Sequence, residues 1–380
     1  MERCPHFTAC GGCQFQGVEY AEQLSQKQER LEKLLGAFAP VRPILVAEKP
    51  VHYRNKVHAA FGLDKKRRVV SGVYQSGSHV IVPMDSCLIE NELADRIVVA
   101  VREMLQRYKL PVFDERRGSG WLRHVLVRIA DATGEVMLVL VAVSPVFKSQ
   151  RSFLAELLAR FPEIKTVVLN VNDHFGPVVL GPKNKTLFGS GYIEDRLCGL
   201  RFRISPSSFY QINHTQTEKL YRCVLDLAAL RGTETVLDAY CGVGTIGLCA
   251  ASSAKQIIGV ELNRDAVRDA ITNAKLNAIK NAWFVAADAG AYLEQMLRDG
   301  ERPDLVLMDP PRAGSSRRFL DALLRCAPER VVYVSCDPAT LARDLKFLTA
   351  SGVYRAEVIQ GVDMFPFTEH VETVVLLSKK

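Results

Sequence analysis

Three short stretches carry side chains able to do chemistry. VVYVSCDP (331–338) is an apolar, strand-like run that ends in Ser335-Cys336-Asp337-Pro338. LVLMDPP (305–311) is another apolar run, and it ends in Asp309 and two prolines. FPFTEHVETVVLL (365–377) sets His370 and Glu372 just ahead of a third. An ionised thiol is a nucleophile, and a carboxylate or an imidazole can take up a proton. Two prolines fix the backbone and donate no N–H, so Asp309 is left with an exposed side chain at a strand end. A free cysteine is more often a small buried hydrophobe. Chemistry therefore depends on a fold that brings these stretches to one edge.

The elements that would do so are readable. After about residue 203 strands and helices alternate. TETVLDAY, QIIGVEL, NAWFVAAD, DLVLMDP and RVVYVSC read as strands, with helices at 244–253 and 263–278, and AEVIQGVDMF and HVETVVLLSK close the chain. This rhythm predicts an open, doubly wound, mostly parallel sheet. Ligands of such sheets bind beyond the carboxyl ends of the strands. Earlier, residues 18–38 read as an amphipathic helix with Leu24, Leu31, Leu34 and Leu35 on one face. Residues 51–90 are β-like, and 91–108 and 150–160 are helical. WLRHVLVRIA, EVMLVLVAV and TVVLNVN add strands to a central α+β unit. The expected division is 1–90, 91–200 and 201–380.

VLDAYCGVGTIGLCA (236–250) is a strand, a glycine turn and a helix. Gly242 and Gly244 let the backbone turn beside a ligand, and the helix start offers free N–H groups. Glu261 ends the next strand, where an acid would hold a ribose. The loop lacks the G-x-G-x-x-G spacing of a pyrophosphate binder. It resembles the S-adenosylmethionine loop of class I methyltransferases, with Asp288 placed to receive the adenine end or to cap a helix. A strand-end Asp-Pro-Pro is similar to that of nucleobase methyltransferases. Those acting on exocyclic amines carry an aromatic residue next, and here that residue is Arg312. This argues against an amine target and leaves a carbon target open. C5 of uracil is a poor nucleophile until a thiolate adds to C6, and a base must then remove the C5 proton.

SPSSFYQIN (205–213), LDAYCGVGTIGL, DPPRAG, VVYVSCDPATLARDL and DMFPFTEHVE, in that order, resemble the RNA uracil-C5 methyltransferases. The resemblance implies a Rossmann-like class I methyltransferase domain acting on uridine in RNA, 23S rRNA first and tRNA as the alternative. By that resemblance Cys336 is the nucleophile and Glu372 the base, with His370 as rival. Gln211, Tyr240, Glu261, Asp309, Thr245 and Asp288 match positions that hold S-adenosylmethionine. Asp337 departs from the family, whose commoner residue is Asn, and an acid beside the sulfur does not favour a thiolate. A non-catalytic RNA-binding protein on the same fold is the reading that Cys336 and Glu372 together oppose.

Cys4, Cys10 and Cys13 have the spacing C-x5-C-x2-C, and Cys87 is a candidate fourth ligand. Four thiolates suit zinc or a [4Fe–4S] cluster, and spacing does not choose between them. The resemblance favours the iron–sulfur cluster, in a structural or RNA-orienting role. The 380 residues carry a net charge of +7, compatible with a polyanionic partner. Basic runs at Lys65-Lys66-Arg67-Arg68, Arg116-Arg117 and Arg201 with Arg203 point the same way. So do Arg54, Lys56 and His58, which strand alternation sets on one face, and Arg123 with His124. A uridine in folded RNA must be flipped out to reach Cys336, and Phe209 is a candidate to flank it. No apolar run spans a membrane, no signal peptide is evident, and no obligate protein partner is called for. A cytoplasmic enzyme is expected.

Overall fold

The computed structural model describes residues 4–115, 117–174, 176 and 178–380, so Arg116 of the Arg116-Arg117 pair lies outside the described residues. Contacts divide the chain into two units that differ from the three segments expected. One comprises 1–17, 49–196 and 203–207; the other comprises 18–48, 197–202 and 208–380.

The first unit is built on a seven-stranded sheet. Its strands run in the order Ile81–Pro83, Val69–Tyr74, Lys56–Leu63, Leu122–Ile129, Val136–Ala142, Ile164–Val171 and Lys183–Phe188. All pairs are antiparallel except Val136–Ala142 with Ile164–Val171. One face, including Val57, Ala59, Val125 and Val127, packs on the helices Glu92–Arg107 and Gln150–Arg160. Ala94, Ile97, Val101, Met104 and Leu105 recur at three- and four-residue steps, which is the buried stripe of an amphipathic helix. Asn91 caps that helix by accepting the Leu93 N–H at 2.9 Å.

The second unit holds the doubly wound sheet. Its strands are β1 (Val41–Leu45), β2 (Thr235–Ala239), β3 (Gln256–Glu261), β4 (Ala282–Ala286), β5 (Leu305–Met308), β6 (Arg330–Ser335), β7 (Tyr354–Val362) and β8 (Glu372–Lys379). Their spatial order is β1-β7-β8-β6-β5-β2-β3-β4. Strands β2 to β6 are mutually parallel, and β8 runs antiparallel between β6 and β7. From β2 the chain winds outward through β3 and β4, then returns to β5 on the other side. The β2/β5 gap is thus the topological switch point, where such sheets bind ligands.

The helix Tyr20–Leu35, read with the amino-terminal segment, belongs to this second unit. Leu31 and Leu35 are fully buried in one core with Leu341, Leu345, Ile359 and Val375. Amphipathic spacing shows that such a face is buried but not against which partner. Gly361 makes room for it: a Cβ there would lie 2.6 Å from Leu31 Cδ1 and 2.8 Å from Ile44 Cγ1.

Candidate active site

After Ala239 the chain turns through Tyr240-Cys241-Gly242-Val243-Gly244 into the helix Thr245–Ala250. Tyr240, Gly242 and Gly244 have φ of 64°, 55° and 81°. Glycine adopts that region freely; tyrosine does so at a cost. Tyr240 is held by its surroundings, with its hydroxyl 3.2 Å from Ser315 Oγ and its ring centroid 5.4 Å from that of Phe319. Buried Asp238 accepts the Gly247 N–H at 2.8 Å. Glu261 accepts the Gly242 N–H at 3.2 Å and the Asn263 N–H at 2.8 Å. Carboxylates from β2 and β3 therefore clamp the turn from both sides.

The turn lines a cavity with about 370 Å³ of empty space, together with Phe209, Gln211, Tyr221 and Asp309. Gln211, Tyr240, Thr245 and Asp309, all expected at a cofactor site, meet there, while Glu261 acts through the Gly242 backbone. Burial pushes Asp238 up to about 7, the Gly247 N–H opposes this, and the charges of Asp309 and Glu261 add to it. Burial raises Asp309 as well. Two desolvated carboxylates in one cavity favour a positively charged occupant. This donor set fits the sulfonium of S-adenosylmethionine.

Beyond the cavity the sheet register brings the thiol to its acid. Ser335 of β6 pairs with Thr373 of β8. One step further along an antiparallel pair sets Cys336 opposite Glu372. Glu372 is 4% exposed, and on its other side it pairs with Val362. Burial pushes the Cys336 thiol up to about 11, and the negative charges of Glu372 and Asp309 contribute; Arg312 pulls it down by charge and by a hydrogen bond to the sulfur. Burial raises Glu372 too, with Asp309 adding and Arg312 opposing. The Arg312 guanidinium also lies 2.9 and 2.8 Å from the His370 ring nitrogens. Burial, then the Arg312 charge, holds His370 below its usual value. A thiol, a facing carboxylate and a guanidinium at the sulfur can support addition to an electrophilic ring carbon and later removal of a proton.

The acid beside the sulfur has a structural explanation. Asp337 Oδ1 accepts the Ala339 and Thr340 N–H groups at 2.9 and 3.0 Å, capping the helix Pro338–Ala350. The leading charges on Cys336 are Glu372, Asp309 and Arg312, not Asp337. Asp288 is likewise a cap: its Oδ1 accepts the Ala291 N–H at 2.9 Å, and it lies outside the cavity lining while still raising Tyr240. Sequence reasoning does not single out Tyr221, whose hydroxyl sits 2.7 Å from Thr245 Oγ1. No spacing points to it. The contact of Arg312 with the thiol is also new, although its place after Asp-Pro-Pro was a usable signal.

In the first unit Cys4, Cys10, Cys13 and Cys87 are half-buried free thiols. Burial raises Cys13, a hydrogen bond with Gln16 opposes this, and the charges of Cys10 and Cys4 add to the rise. Cys87 is pushed up to about 12 by burial and then by Glu90. Among the described residues no three His, Cys, Asp or Glu side chains form a group able to hold a metal ion. The donor type suits an iron–sulfur cluster, but the described arrangement does not assemble the four ligands.

Arg54 and Lys56 meet a further cation, since Lys56 pairs with Arg128, while His124 opposite Ala60 is lowered to about 4 by burial and then by Arg123. Burial, then Arg128 and Arg54, lowers Lys56 to about 7, and burial with neighbouring cations lowers His58 to about 3. Arg123 departs from the phosphate-contact expectation. It is 5% exposed, donates to the carbonyls of Asn172 and His174 at 3.2 and 2.6 Å, and lies 5.4 Å from the Phe113 ring. Strand alternation assigns a face, not a depth.

Residues 178–380 match the family model described as tRNA (Uracil-5-)-methyltransferase. The chain is 40% identical to an uncharacterized RNA methyltransferase of Bacillus cereus, over 99% of this chain and 82% of that one. A Listeria innocua protein of the same description is 41% identical, over 99% and 83%. The solved tRNA (uracil-54, C5)-methyltransferase of Pyrococcus abyssi, in complex with S-adenosyl-L-homocysteine, matches with a TM-score of 0.80 and 29% identity, over 97% of this chain and 86% of that one.

Two outcomes follow from this geometry. Asp337→Asn keeps a capping oxygen and should change stability by less than about 0.5 kcal/mol, whereas Asp337→Ala should cost about 1 kcal/mol in urea denaturation. The second concerns Glu372, which binds its proton more tightly folded than unfolded. Its ionisation opposes folding: the penalty is absent below the ordinary carboxylate range and grows as pH rises toward the folded value. Glu372→Gln should therefore melt above the parent protein at about pH 8–9, with the gap closing toward about pH 4. A pH-independent difference in melting temperature would refute burial as the cause.

Proposed function

The chain belongs to the RNA uracil-C5 methyltransferase family, and from that membership we propose that it methylates C5 of a uridine in 23S rRNA through a covalent bond between Cys336 and C6 of the base. The family makes it an S-adenosylmethionine-dependent enzyme. The observation that carries the residue assignment is the Ser335–Thr373 pairing, which leads into Cys336 and Glu372, with the charge of Glu372 acting on the thiol, Arg312 at the sulfur and Asp309 shared with the cavity. S-adenosylmethionine supplies an electrophilic methyl group on a cationic sulfonium. Gln211, Tyr240, Thr245 and Asp309 would hold it, with Glu261 shaping the loop and Asp288 contributing charge near Tyr240.

On this reading Cys336 attacks as the thiolate, which Arg312 stabilises. Its electron pair forms the bond to C6, and the displaced π electrons make C5 nucleophilic. Once C5 is methylated, Glu372 takes the C5 proton. The C–H electrons restore the ring double bond, and the C6–S bond breaks to return the thiolate. His370 is the weaker base, because burial and then the charge of Arg312, which contacts its ring, lower its proton affinity. Phe209, 65% exposed at the cavity, offers a ring face to a flipped base. The crowded cations around Lys56 and the exposed Lys65–Arg68 turn support a polyanionic partner.

The 23S assignment rests on the amino-terminal cysteines, which resemble those of the short rRNA enzymes. Cys4, Cys10, Cys13 and Cys87 are proposed to hold a [4Fe–4S] cluster that takes no part in the transfer. A second reading, position 54 of tRNA, is favoured by the likeness to the Pyrococcus abyssi enzyme.

RNA containing 5-fluorouridine should trap a covalent adduct with the protein and S-adenosylmethionine, and Cys336→Ala should abolish it. Survival of the adduct in that variant would sink the nucleophile assignment. Mapping 5-methyluridine in rRNA and tRNA of a deletion strain separates the two substrates. Anaerobically purified protein should be brown and hold about four irons per chain; a colourless, zinc-loaded protein would exclude the cluster.

A further inference from the structure

The loop that leads into Glu372 is held by a helix 336 residues earlier in the chain. Residues 363–371 join β7 to β8, and Val362 pairs with Glu372 across the loop's base. Lys27 Nζ donates to Asp363 Oδ1 at 2.6 Å, with the two side chains 1% and 0% exposed. The Tyr20 hydroxyl donates to Asp363 Oδ2 at 2.8 Å and accepts the Ala47 N–H at 2.8 Å. Lys27 also donates to the Phe365 carbonyl at 3.1 Å. Gln23 Oε1 accepts the N–H of Phe367 at 2.9 Å, a residue that is 1% exposed with φ at 66°. Arg30 donates to the Glu369 carbonyl at 3.0 Å. Opposite this helix, Asn213 and Gln216 each hold a loop carbonyl, of Met364 and Asp363, at 3.0 Å.

Positions 20, 23, 27 and 30 fall at three- and four-residue steps, so they share one helix face. The helix already has an apolar stripe, including Leu31 and Leu35, to bind it to the sheet. Burying a lysine and an aspartate is not needed for that, because apolar side chains of similar volume stabilise a core as well or better. The polar face instead converges on one loop, and that loop ends at Glu372. A left-handed Phe367 persists only where its surroundings over-determine it.

The geometry points to Lys27, with Tyr20 and Gln23, as positioning residues that fix the 363–371 loop and so aim the Glu372 carboxylate at the Cys336 side of the site. This rests on the proposed role of Glu372 as the proton acceptor. Lys27 touches no reacting atom; it acts through Asp363.

The test separates two steps. Adduct formation with 5-fluorouridine RNA needs Cys336 but not proton removal, whereas turnover on ordinary RNA needs both. Lys27→Met should lower kcat about ten- to hundredfold, accumulate the covalent RNA adduct during turnover as Glu372→Gln does, and leave the Kd for S-adenosylhomocysteine unchanged. Lys27→Arg should recover part of the rate. Tyr20→Phe keeps the ion pair and should show the same pattern more weakly; it decides the matter if Lys27→Met does not fold. Unchanged turnover in the folded variants overturns the inference. So does a parallel loss of adduct formation, turnover and cofactor binding, which marks a merely structural role. If Glu372→Gln accumulates no adduct, the base assignment itself fails; if it does while Lys27→Met and Tyr20→Phe do not, the clamp alone fails.

Discussion

Negative charge is crowded at the carboxyl edge of the second sheet, and much of the local structure answers to that crowding. Asp238, Asp309 and Glu372 are all held above the ordinary carboxylate range by burial, and the charge of Asp309 adds to it at Asp238 and Glu372. Burial disfavours the charged form of each, and an ionised neighbour disfavours the next. The Cys336 thiol shares the same penalty, with Arg312 opposing it. Each of these groups therefore holds its proton more tightly than it would in water, whereas the proposed chemistry needs those protons removed. A cationic occupant would draw each group back toward its ordinary value.

Two features let the fold tolerate such a site. Parallel strands end together at the switch point, so Tyr240 and Asp309 follow neighbouring strands at one edge of the sheet. The antiparallel β8 is inserted next to β6, and the Ser335–Thr373 pairing brings the start of β8 beside the residue that follows β6. Neither feature holds the loop between β7 and β8, which must end at a buried, reluctant carboxylate. That task falls to the polar face of the helix Tyr20–Leu35, whose hydrogen bonds are shielded from water and correspondingly strong.

Legibility in the sequence followed the range of each interaction. The strand–helix rhythm after residue 203, the glycine turn and the strand-end Asp309, Cys336 and Glu372 were readable, because local periodicity and turn chemistry fix them. The role of Asp337 was readable in principle, since an aspartate followed by proline is a helix-start signal. The contact of Lys27 with Asp363 was not: a lysine in a polar helix reads as solvated, and its partner is 336 residues away. The same limit hid the membership of residues 18–48 in the second unit. Arg123 reads as a phosphate contact because alternation says nothing of depth. The cysteine set shows the reverse case, with a clear donor pattern that the described side chains do not gather into a site.

The raised proton affinities act in both directions on the proposed chemistry. A thiolate formed from a thiol near 11 is scarce but intrinsically more nucleophilic than one from an acidic thiol. The same thiolate must later leave C6, and a leaving group of high proton affinity departs slowly. Arg312 addresses both steps, because a cation at the sulfur stabilises the thiolate whether it is about to attack or has just been expelled. Glu372 is matched in the same way. A carboxylate lifted from its ordinary value is a stronger base when ionised, and general bases act best with a proton affinity near the working pH. Burial, which supplies that basicity, also makes the carboxylate costly to orient in its ionised form, and so calls for the rigid loop that ends on it.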